Sequence, residues 1–101
     1  MLKVGTIVKL KKACLGNDAG AKGVVFYDYG DGFQAIFPNG GYDGFSTQSK
    51  MPDGQLEADY FLETVGFEPS LAAYKFKNVM QVSVDFRKGV FDCIKKKGQN
   101  E

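Results

Sequence analysis

The chain has 101 residues, of which 44% are hydrophobic and 25% charged, and its formal net charge is +1. This length suits one domain, and the apolar fraction supports a hydrophobic core and excludes a wholly disordered chain. The small net charge excludes a uniformly basic protein that coats nucleic acid. The chain contains no histidine, which removes the usual general base and the commonest zinc ligand.

The first two predicted strands flank a glycine-rich loop. In residues 6–12, apolar side chains such as Val8 and Leu10 fall on one face and lysines fall on the other. Such alternation indicates a half-buried strand. Residues 24–29 are rich in β-branched and aromatic side chains, which favours a second strand. We expect the polar residues 16–23 to form the loop between them.

Two turn signals follow the second predicted strand. Both are dipeptides that suit primed hairpin turns, in which both central residues have positive φ; they are Asp31-Gly32 and Asn39-Gly40. Residues 33–37 and 41–46 are the strands that these turns introduce. The pattern predicts a four-stranded β-meander.

The remainder of the chain predicts a fifth strand and a helix. Residues 47–59 have the composition of a loop, and residues 60–67 that of a strand. Near the C-terminus, apolar side chains recur at helical spacing. Asn78 and Gln81 resemble a capping box, and lysines followed by Gly98 suit a helix C-terminus. We expect a helix over about residues 79–96, either continuous or broken at Gly89.

These elements predict an α+β, mainly β fold. A sheet of five antiparallel strands over residues 1–67 has exposed edges, and closing it into a small barrel removes them. We expect residues 68–101 to form a C-terminal segment whose helix packs on this barrel, so that the whole chain is a single domain.

The loop between the first two strands carries a family resemblance. The spacing is Gly16-x-Asp18-x-Gly20-x-x-Gly23-x-Val25, which resembles the KOW motif of SH3-like barrels in ribosomal proteins and in transcription factors of the NusG type. Glycines at these positions permit positive φ and a close approach of two strands. The resemblance implies an SH3-like barrel and RNA contact through the loop. The chain departs from the pattern because Asn17, Ala19 and Ala21 stand where basic residues are expected, which weakens the RNA inference.

The charges are segregated along the chain. Residues 1–27 carry five lysines and one aspartate, a net of +4, and residues 28–68 carry one lysine and eight acids, a net of −7. The last 33 residues return to +4, with seven cations and three acids. Near-neutrality therefore describes the sum and not each surface, unless the oppositely charged segments lie together and cancel.

Residues 26–45, which overlap the acidic segment, contain seven of the fourteen aromatic residues, and we interpret this acidic and aromatic stretch as a protein-binding face. Acidic and aromatic side chains at the hairpin ends suit a basic protein partner, such as a nucleic-acid-handling protein. The candidate residues are Tyr27, Asp28, Tyr29, Asp31, Tyr42, Asp43 and Phe45. If Val24 and Phe26 fill the core, then Val25, Tyr27 and Tyr29 form an outer stripe. This stripe is either exposed or covered by Phe86, Val90 and Ile94 of the C-terminal helix.

Two alternatives remain beside the binding module or small inhibitor. One is RNA or DNA binding through phosphate contacts on the lysine-rich side of the first strand, with Lys9, Lys11, Lys12 and Lys22 as candidates. The other is a small enzyme, although Cys14 and Cys93 lack a histidine to activate them. We expect no cofactor or metal. The apolar runs are short and the N-terminus does not resemble a signal peptide, so we expect a cytoplasmic location.

Overall fold

The structure is a computed structural model that describes residues 3–95, and it shows a mainly β fold. The strands are β1 (Thr6–Leu10), β2 (Lys22–Asp28), β3 (Gly32–Ile36), β4 (Tyr42–Ser46) and β5 (Leu62–Phe67). The helices of this part of the chain are α1 (Glu57–Phe61) and α2 (Val79–Arg87), with short 3₁₀ turns at Pro69–Leu71 and Asp92–Ile94. The predicted meander and fifth strand are confirmed.

The strands form one antiparallel sheet in the order β4-β3-β2-β1-β5. β5 returns to the far side of β1, with Leu62 opposite Leu10 and Phe67 opposite Thr6. β4 and β5 are therefore the two edges of the sheet, and no strand pairing joins them within residues 3–95. α1 contacts both edge strands and lies between them; we call this gap the seam.

The turn between β2 and β3 is primed, but its central residues differ from the predicted pair. The Tyr29 N–H donates to the Gly32 carbonyl over 3.0 Å, so Gly30 and Asp31 are the central residues. Gly30 has a φ of 100°, whereas Asp31 has no positive φ, and this is the type II′ pattern. The prediction of positive φ at Asp31-Gly32 is wrong because Gly32 already belongs to β3.

The hairpin between β3 and β4 has a three-residue turn, enclosed by the hydrogen bond from the Phe37 N–H to the Gly41 carbonyl, instead of a two-residue primed turn. The Gly40 N–H donates to the Phe37 carbonyl over 2.8 Å, which places Pro38 and Asn39 at the centre of the turn. Gly40 follows with a φ of 87°, as in three-residue hairpin loops. The predicted Asn39-Gly40 primed turn is wrong because Pro38 has its φ locked near about −65° and suits the first central position of a type I turn.

Both faces of the sheet are buried. The inner cluster lies on the face that meets α1 and comprises Val8, Leu10, Val25, Phe33, Ala35, Phe37, Phe45, Ala58 and Leu62. The outer cluster lies on the opposite face and comprises Val24, Phe26, Ile36, Leu71, Val82, Phe91 and Ile94. Neighbouring residues of a strand point to opposite faces, so a sheet covered on both sides buries consecutive residues.

β2 shows this double burial and contradicts the expected outer stripe. Val24, Val25 and Phe26 are all 0% exposed. The pairing with β3 shifts between Val25 and Tyr27, which makes Phe26 an extra residue in a bulge. Tyr27 consequently packs against the outer cluster beside Phe26. Val25, Tyr27 and Tyr29 do not form one stripe, because Val25 belongs to the inner cluster.

The C-terminal segment covers the outer face of β2 and β3. Its buried members are Leu71, Val82, Phe91 and Ile94. Among the three side chains expected to cover the sheet, Ile94 is buried, Phe86 is half-buried and Val90 is exposed. The coverage therefore comes from the turns on either side of α2 as well as from α2 itself.

α2 begins where the sequence predicts and ends early. Asn78 is the N-cap, and its Oδ1 accepts the Gln81 N–H over 2.8 Å. Gly89 has a φ of 92° and its N–H donates to Phe86, while the Val90 N–H reaches back to Asp85; this is a Schellman cap. A helix continuing to residue 96 is wrong and the break at Gly89 is confirmed. Lys96, Lys97 and Gly98, the predicted C-terminus, lie outside the described residues.

The fifth strand starts two residues later than predicted. Tyr60 and Phe61 belong to α1, and β5 begins at Leu62. The predicted loop over residues 47–59 thus ends in the first turn of this helix. Phe61 packs against the inner cluster, which explains why a helical turn is favoured over two further strand residues at this place.

A hydrogen-bond network holds the segment before α2 against the helix. The Tyr74 hydroxyl donates to Asp85 Oδ2 over 2.6 Å, and Gln81 Nε2 donates to Asp85 Oδ1 over 2.9 Å. The Tyr74 ring also packs edge-on against Phe91, with centroids 5.1 Å apart. Burial, followed by the Asp85 hydrogen bond and charge, raises the pKa of Tyr74 well above its usual range.

We predict that Gly23→Ala destabilises the fold while Gly66→Ala does not. A Cβ on Gly23 would lie 2.5 Å from the Phe37 ring and 2.8 Å from the Ile36 carbonyl oxygen, and such overpacking costs about 1–3 kcal/mol. A Cβ on Gly66 meets only Ile7, at 3.8 Å. Urea unfolding of both variants tests this, and equal stabilities contradict it.

We also predict that Tyr74→Phe lowers the free energy of unfolding by about 1–2 kcal/mol, because it removes a hydrogen bond to a carboxylate. The matched control is Tyr42→Phe, since the Tyr42 hydroxyl makes no hydrogen bond with residues 3–95.

Stability should also depend on pH through Tyr74, because its pKa is higher in the folded protein than in the unfolded chain. This contribution is fully present below the unfolded pKa of about 10 and is lost as the pH rises further. Urea midpoints measured from pH 8 upward should therefore fall faster in the parent protein than in Tyr74→Phe once the pH exceeds about 10.

Candidate protein-binding surface

Tyr29 is the centre of an exposed surface at the turn between β2 and β3. Its side chain is 42% exposed. A Cβ on Gly32 would lie 2.7 Å from the ring and hydroxyl, and a Cβ on Gly44 would lie 3.0 Å from the hydroxyl. The two glycines, on neighbouring strands, thus leave the space in which the Tyr29 ring lies across β3 and β4.

Carboxylates surround this phenol. Burial, then the charges of Asp31, Glu57 and Asp43, raise the pKa of Tyr29, because a nearby negative charge disfavours the phenolate. Within the described chain, none of these three carboxylates has a lysine or arginine nitrogen within 4.0 Å. We call Tyr29, Asp28, Asp31, Asp43 and Glu57 the acidic surface.

Two members of the acidic surface bind backbone groups at the edge of β4. Asp43 Oδ1 accepts the Gly44 N–H over 2.8 Å, and Glu57 Oε1 accepts the Ser46 N–H over 2.7 Å. A carboxylate has about four acceptor sites. Each group therefore stabilises the edge and still keeps its charge and free lone pairs for a partner.

The other two acids belong to the turn itself. Asp28 Oδ1 accepts the Gly30 N–H over 2.9 Å, an arrangement typical of turn-forming aspartates. The Asp31 carbonyl accepts the Thr47 N–H over 3.0 Å, which joins this turn to the residue after β4. The acidic turn and the β4 edge are consequently one continuous part of the surface.

The structure divides the seven residues predicted for protein binding. Four lie on the acidic surface: Asp28, Tyr29, Asp31 and Asp43. Tyr27 and Tyr42 are half-buried; the Tyr27 ring lies 4.5 Å from Phe76, and the Tyr42 ring meets Phe26 edge-on. Phe45 is 2% exposed in the inner cluster, so its inclusion as a surface residue is wrong. The reason is strand alternation: Phe45 lies opposite Phe33 and faces the inner side.

Glu57 is the member that sequence reasoning missed. It follows β4 by more than ten residues and lies in the first turn of α1. Nothing local in the sequence links it to the hairpin. The bond to the Ser46 N–H and the packing of α1 against β4 show that α1 returns to this edge.

The lysines predicted for nucleic-acid binding separate into two pairs. Lys9 and Lys22 lie directly opposite each other across β1 and β2. Glu63 lies opposite Lys9 on β5, with its carboxylate 4.0 Å from the Lys9 amine. Lys11 donates from Nζ to the Asp59 carbonyl over 2.6 Å, and the Lys12 amine stands 4.6 Å from the Tyr60 ring centroid.

The glycine-rich loop behaves as its residues predict. Gly16 and Gly20 have φ values of 80° and 96°, and Gly23 permits the close approach of β2 to β3. Leu15, at φ 51°, completes a tight turn that the Cys14–Asn17 bridge closes. Asn17 Nδ2 donates to Asn39 Oδ1 over 3.1 Å, which ties this loop to the β3–β4 loop. Asp18 is exposed.

Both cysteines are free and half-buried. Burial raises the pKa of both thiols; the charge of Asp43 adds to this at Cys14, and that of Glu68 at Cys93. A raised pKa keeps a thiol protonated near neutral pH, which lowers its reactivity. Residues 3–95 contain no group of three or more side chains arranged to hold a metal ion.

A cavity of about 480 Å³ opens at the seam, a volume within the range of ligand sites. Its apolar lining comes from Phe33, Leu56, Ala58 and Leu62. Its polar lining comes from Lys11, Thr47, Asp59, Glu63 and Thr64. Because Thr47 bonds to Asp31 and Ala58 follows Glu57, the cavity adjoins the acidic surface.

Comparison of the chain with protein-family models, with curated proteins and with solved structures finds no match. None of the helices in the described part of the chain has the length and apolarity needed to cross a membrane.

We predict that Lys22→Glu raises the free energy of unfolding by about 0.5–1 kcal/mol. The substitution replaces a like-charge pair with an ion pair directly across β1 and β2. Lys75→Glu is the charge-matched control, because Lys75 is exposed and lies outside the sheet. Urea unfolding at low salt measures the difference, and stabilisation of the control alone contradicts the pairing.

Proposed function

We propose that the protein is a non-catalytic binding module, or small inhibitor, that engages a basic protein surface through its acidic surface. The observation that carries the proposal is the set of unneutralised carboxylates around the exposed Tyr29. Tyrosine supplies contact area at an interface, and the carboxylates attract and orient a basic partner. A nucleic-acid-handling protein is one partner with such a surface.

The proposal includes an SH3-like barrel of the KOW type. Three features support it: a four-strand meander whose fifth strand returns to β1, a bulge that bends β2, and α1 lying between the edge strands. The positive φ of Gly16 and Gly20 and the close approach at Gly23 suit the motif. The fold alone does not determine the partner, so the acidic surface is the basis of the functional part.

Nucleic-acid binding is the second candidate. The observation that favours it is the direct opposition of Lys9 and Lys22, which concentrates two positive charges on one face of the sheet. Glu63 offsets part of this charge, and the Lys11 and Lys12 amines lie at α1. The acidic surface has more unneutralised charge and therefore ranks first.

The test is the affinity of the protein for a lysine-rich synthetic peptide. Asp28→Asn, Asp31→Asn and Asp43→Asn together should weaken binding about tenfold, because each exposed ion pair contributes about 0.2–1 kcal/mol. Asparagine keeps the acceptor oxygen that the turn uses. The control variant carries Asp18→Asn, Asp53→Asn and Asp92→Asn, the same change in net charge on other parts of the fold.

Equal loss of affinity in the two triple variants would show only a general charge effect and would contradict the proposed surface. A parallel titration with single-stranded RNA and with duplex DNA at low salt tests the second candidate. Binding there that disappears in the Lys9→Ala, Lys11→Ala, Lys12→Ala variant would replace the first proposal with the second.

A further inference from the structure

We propose that an extended basic segment of the partner adds to the free edge of β5 as a further strand and places an apolar side chain in the seam cavity. This inference rests on the proposed function in one respect, the basic character of the partner. It adds the mode of binding and the part of the molecule that selects the segment.

The two edges of the sheet differ in how they are protected. At β4, the carboxylates of Asp43 and Glu57 occupy the Gly44 and Ser46 N–H groups. At β5, no side chain of the described chain hydrogen-bonds to the backbone of Leu62–Phe67. An edge strand with open N–H and C=O groups is a template for another strand. β5 is therefore the edge at which a partner can pair.

The pairing of β5 with β1 shows which of its backbone groups are open. The Lys11 N–H donates to the Phe61 carbonyl over 2.7 Å. Hydrogen-bonded and non-hydrogen-bonded pairs alternate along an antiparallel ladder, so Lys9 and Glu63 form the next hydrogen-bonded pair. The C=O group of Leu62 and the N–H and C=O groups of Thr64 then point away from β1 and are open at the free edge, whereas the Leu62 N–H donates to the Ala58 carbonyl at the end of α1.

The seam cavity lies beside these same groups. Leu62, Glu63 and Thr64 all line it, although consecutive side chains of a strand point to opposite faces. A cavity lined by three consecutive strand residues must lie along the edge of the strand. Phe33 and Thr47 line it from the β3 and β4 side. A strand added at Leu62–Thr64 would therefore have the apolar lining directly beneath its inward side chain.

A bulge limits how far such a strand can extend. Val8 pairs with Thr64 and Ile7 with Gly66, which leaves Val65 unpaired. A bulge on an edge strand bends the edge and ends regular pairing. The site is consequently short, spanning Leu62–Thr64, and main-chain hydrogen bonds alone give it little affinity. The cavity supplies the specificity, as in other complexes where a peptide adds to a sheet edge.

The charge at the site favours a basic segment. Residues 57–63 contain Glu57, Asp59 and Glu63 and no lysine or arginine. The cavity lining holds the two carboxylates of Asp59 and Glu63 against one amine, that of Lys11, which donates to the Asp59 carbonyl and keeps its positive charge. Since Glu63 is already paired with Lys9, lysines on either side of the apolar anchor would face Asp59 and could extend toward Glu57 and the rest of the acidic surface. An acidic segment would meet repulsion at each of these positions.

The probe is a peptide of about eight residues in which lysine and valine alternate, a length typical of a strand. Two further versions carry N-methyl groups on all valine nitrogens or on all lysine nitrogens. In an added strand, either the valine N–H groups or the lysine N–H groups face β5, but not both. Strand addition therefore predicts that the peptide methylated on the facing N–H groups loses about tenfold or more in affinity and that the other methylated peptide does not. Purely electrostatic binding predicts equal affinities. An alternating glutamate–valine peptide is the charge control.

Two protein variants test the edge and the cavity separately. Thr64→Pro removes an open N–H at a position where an edge strand tolerates proline, and Thr64→Val keeps that N–H as the matched control. Ala58→Leu fills the cavity. We expect Thr64→Pro to bind about tenfold more weakly than Thr64→Val, and Ala58→Leu to bind about tenfold more weakly than the parent protein. Near-ultraviolet circular dichroism and urea unfolding verify that each variant is folded. Thr47→Val and Thr47→Leu change the lining of the cavity from the opposite side and provide a second test of its role.

The outcomes separate this inference from the proposed function. If the N-methylated peptides and Thr64→Pro bind normally while the triple aspartate variant binds weakly, strand addition is wrong and the acidic surface stands. If the glutamate–valine peptide binds as well as the lysine–valine peptide, the basic partner itself is wrong. If sedimentation shows a dimer that Thr64→Pro dissociates, a second copy of the chain occupies the edge, and the inference is overturned in favour of self-association.

Discussion

The burial of β2 on both of its faces is the constraint on which the other elements depend. Val24, Val25 and Phe26 are completely enclosed, and a strand can bury consecutive side chains only if both faces of its sheet are covered. The inner face packs against α1, and the outer face is covered by the C-terminal segment. Exposing either face would uncover large aromatic groups, each of which contributes about 2–3 kcal/mol by burial.

This constraint also determines what is left for function. The apolar side chains of the meander are used on the two buried faces, including Phe45 and most of Tyr27 and Tyr42. What remains exposed at the hairpin end is Tyr29 together with carboxylates that hold turns and cap the β4 edge. The charged residues thus have a structural role and a surface role at once, and the near-zero net charge of the chain hides a locally negative region.

The two sheet edges meet this negative region in different ways. At β4 the carboxylates close the edge, as natural sheets usually require. At β5 the edge is open over a few residues before the bulge, and the cavity of the seam lies beside it. An incompletely closed sheet therefore brings together an open strand edge, an apolar cavity and unneutralised acids. This combination is the physical basis for expecting an extended basic segment as the partner.

The sequence by itself determined the local features. Alternation in residues 6–12, the β-branched and aromatic run of β2, the Asn78 cap and the positive φ of Gly16 and Gly20 all follow from short-range sterics and hydrogen bonding, and short-range rules can be applied from the sequence. The same rules also placed Asp28, Asp31 and Asp43 near hairpin ends.

Only the tertiary structure decided the long-range features. The bulge at Phe26, the return of Glu57 to Ser46, the burial of Phe45 and the seam depend on which elements pack together, and no local pattern encodes those contacts. The end of α2 depends on both the local sequence pattern and long-range packing. Helical spacing permitted continuation to residue 96, and Gly89 permitted a break. The structure has the break, and the segment after it buries Phe91 and Ile94 in the outer cluster, a long-range contact that helical spacing does not encode.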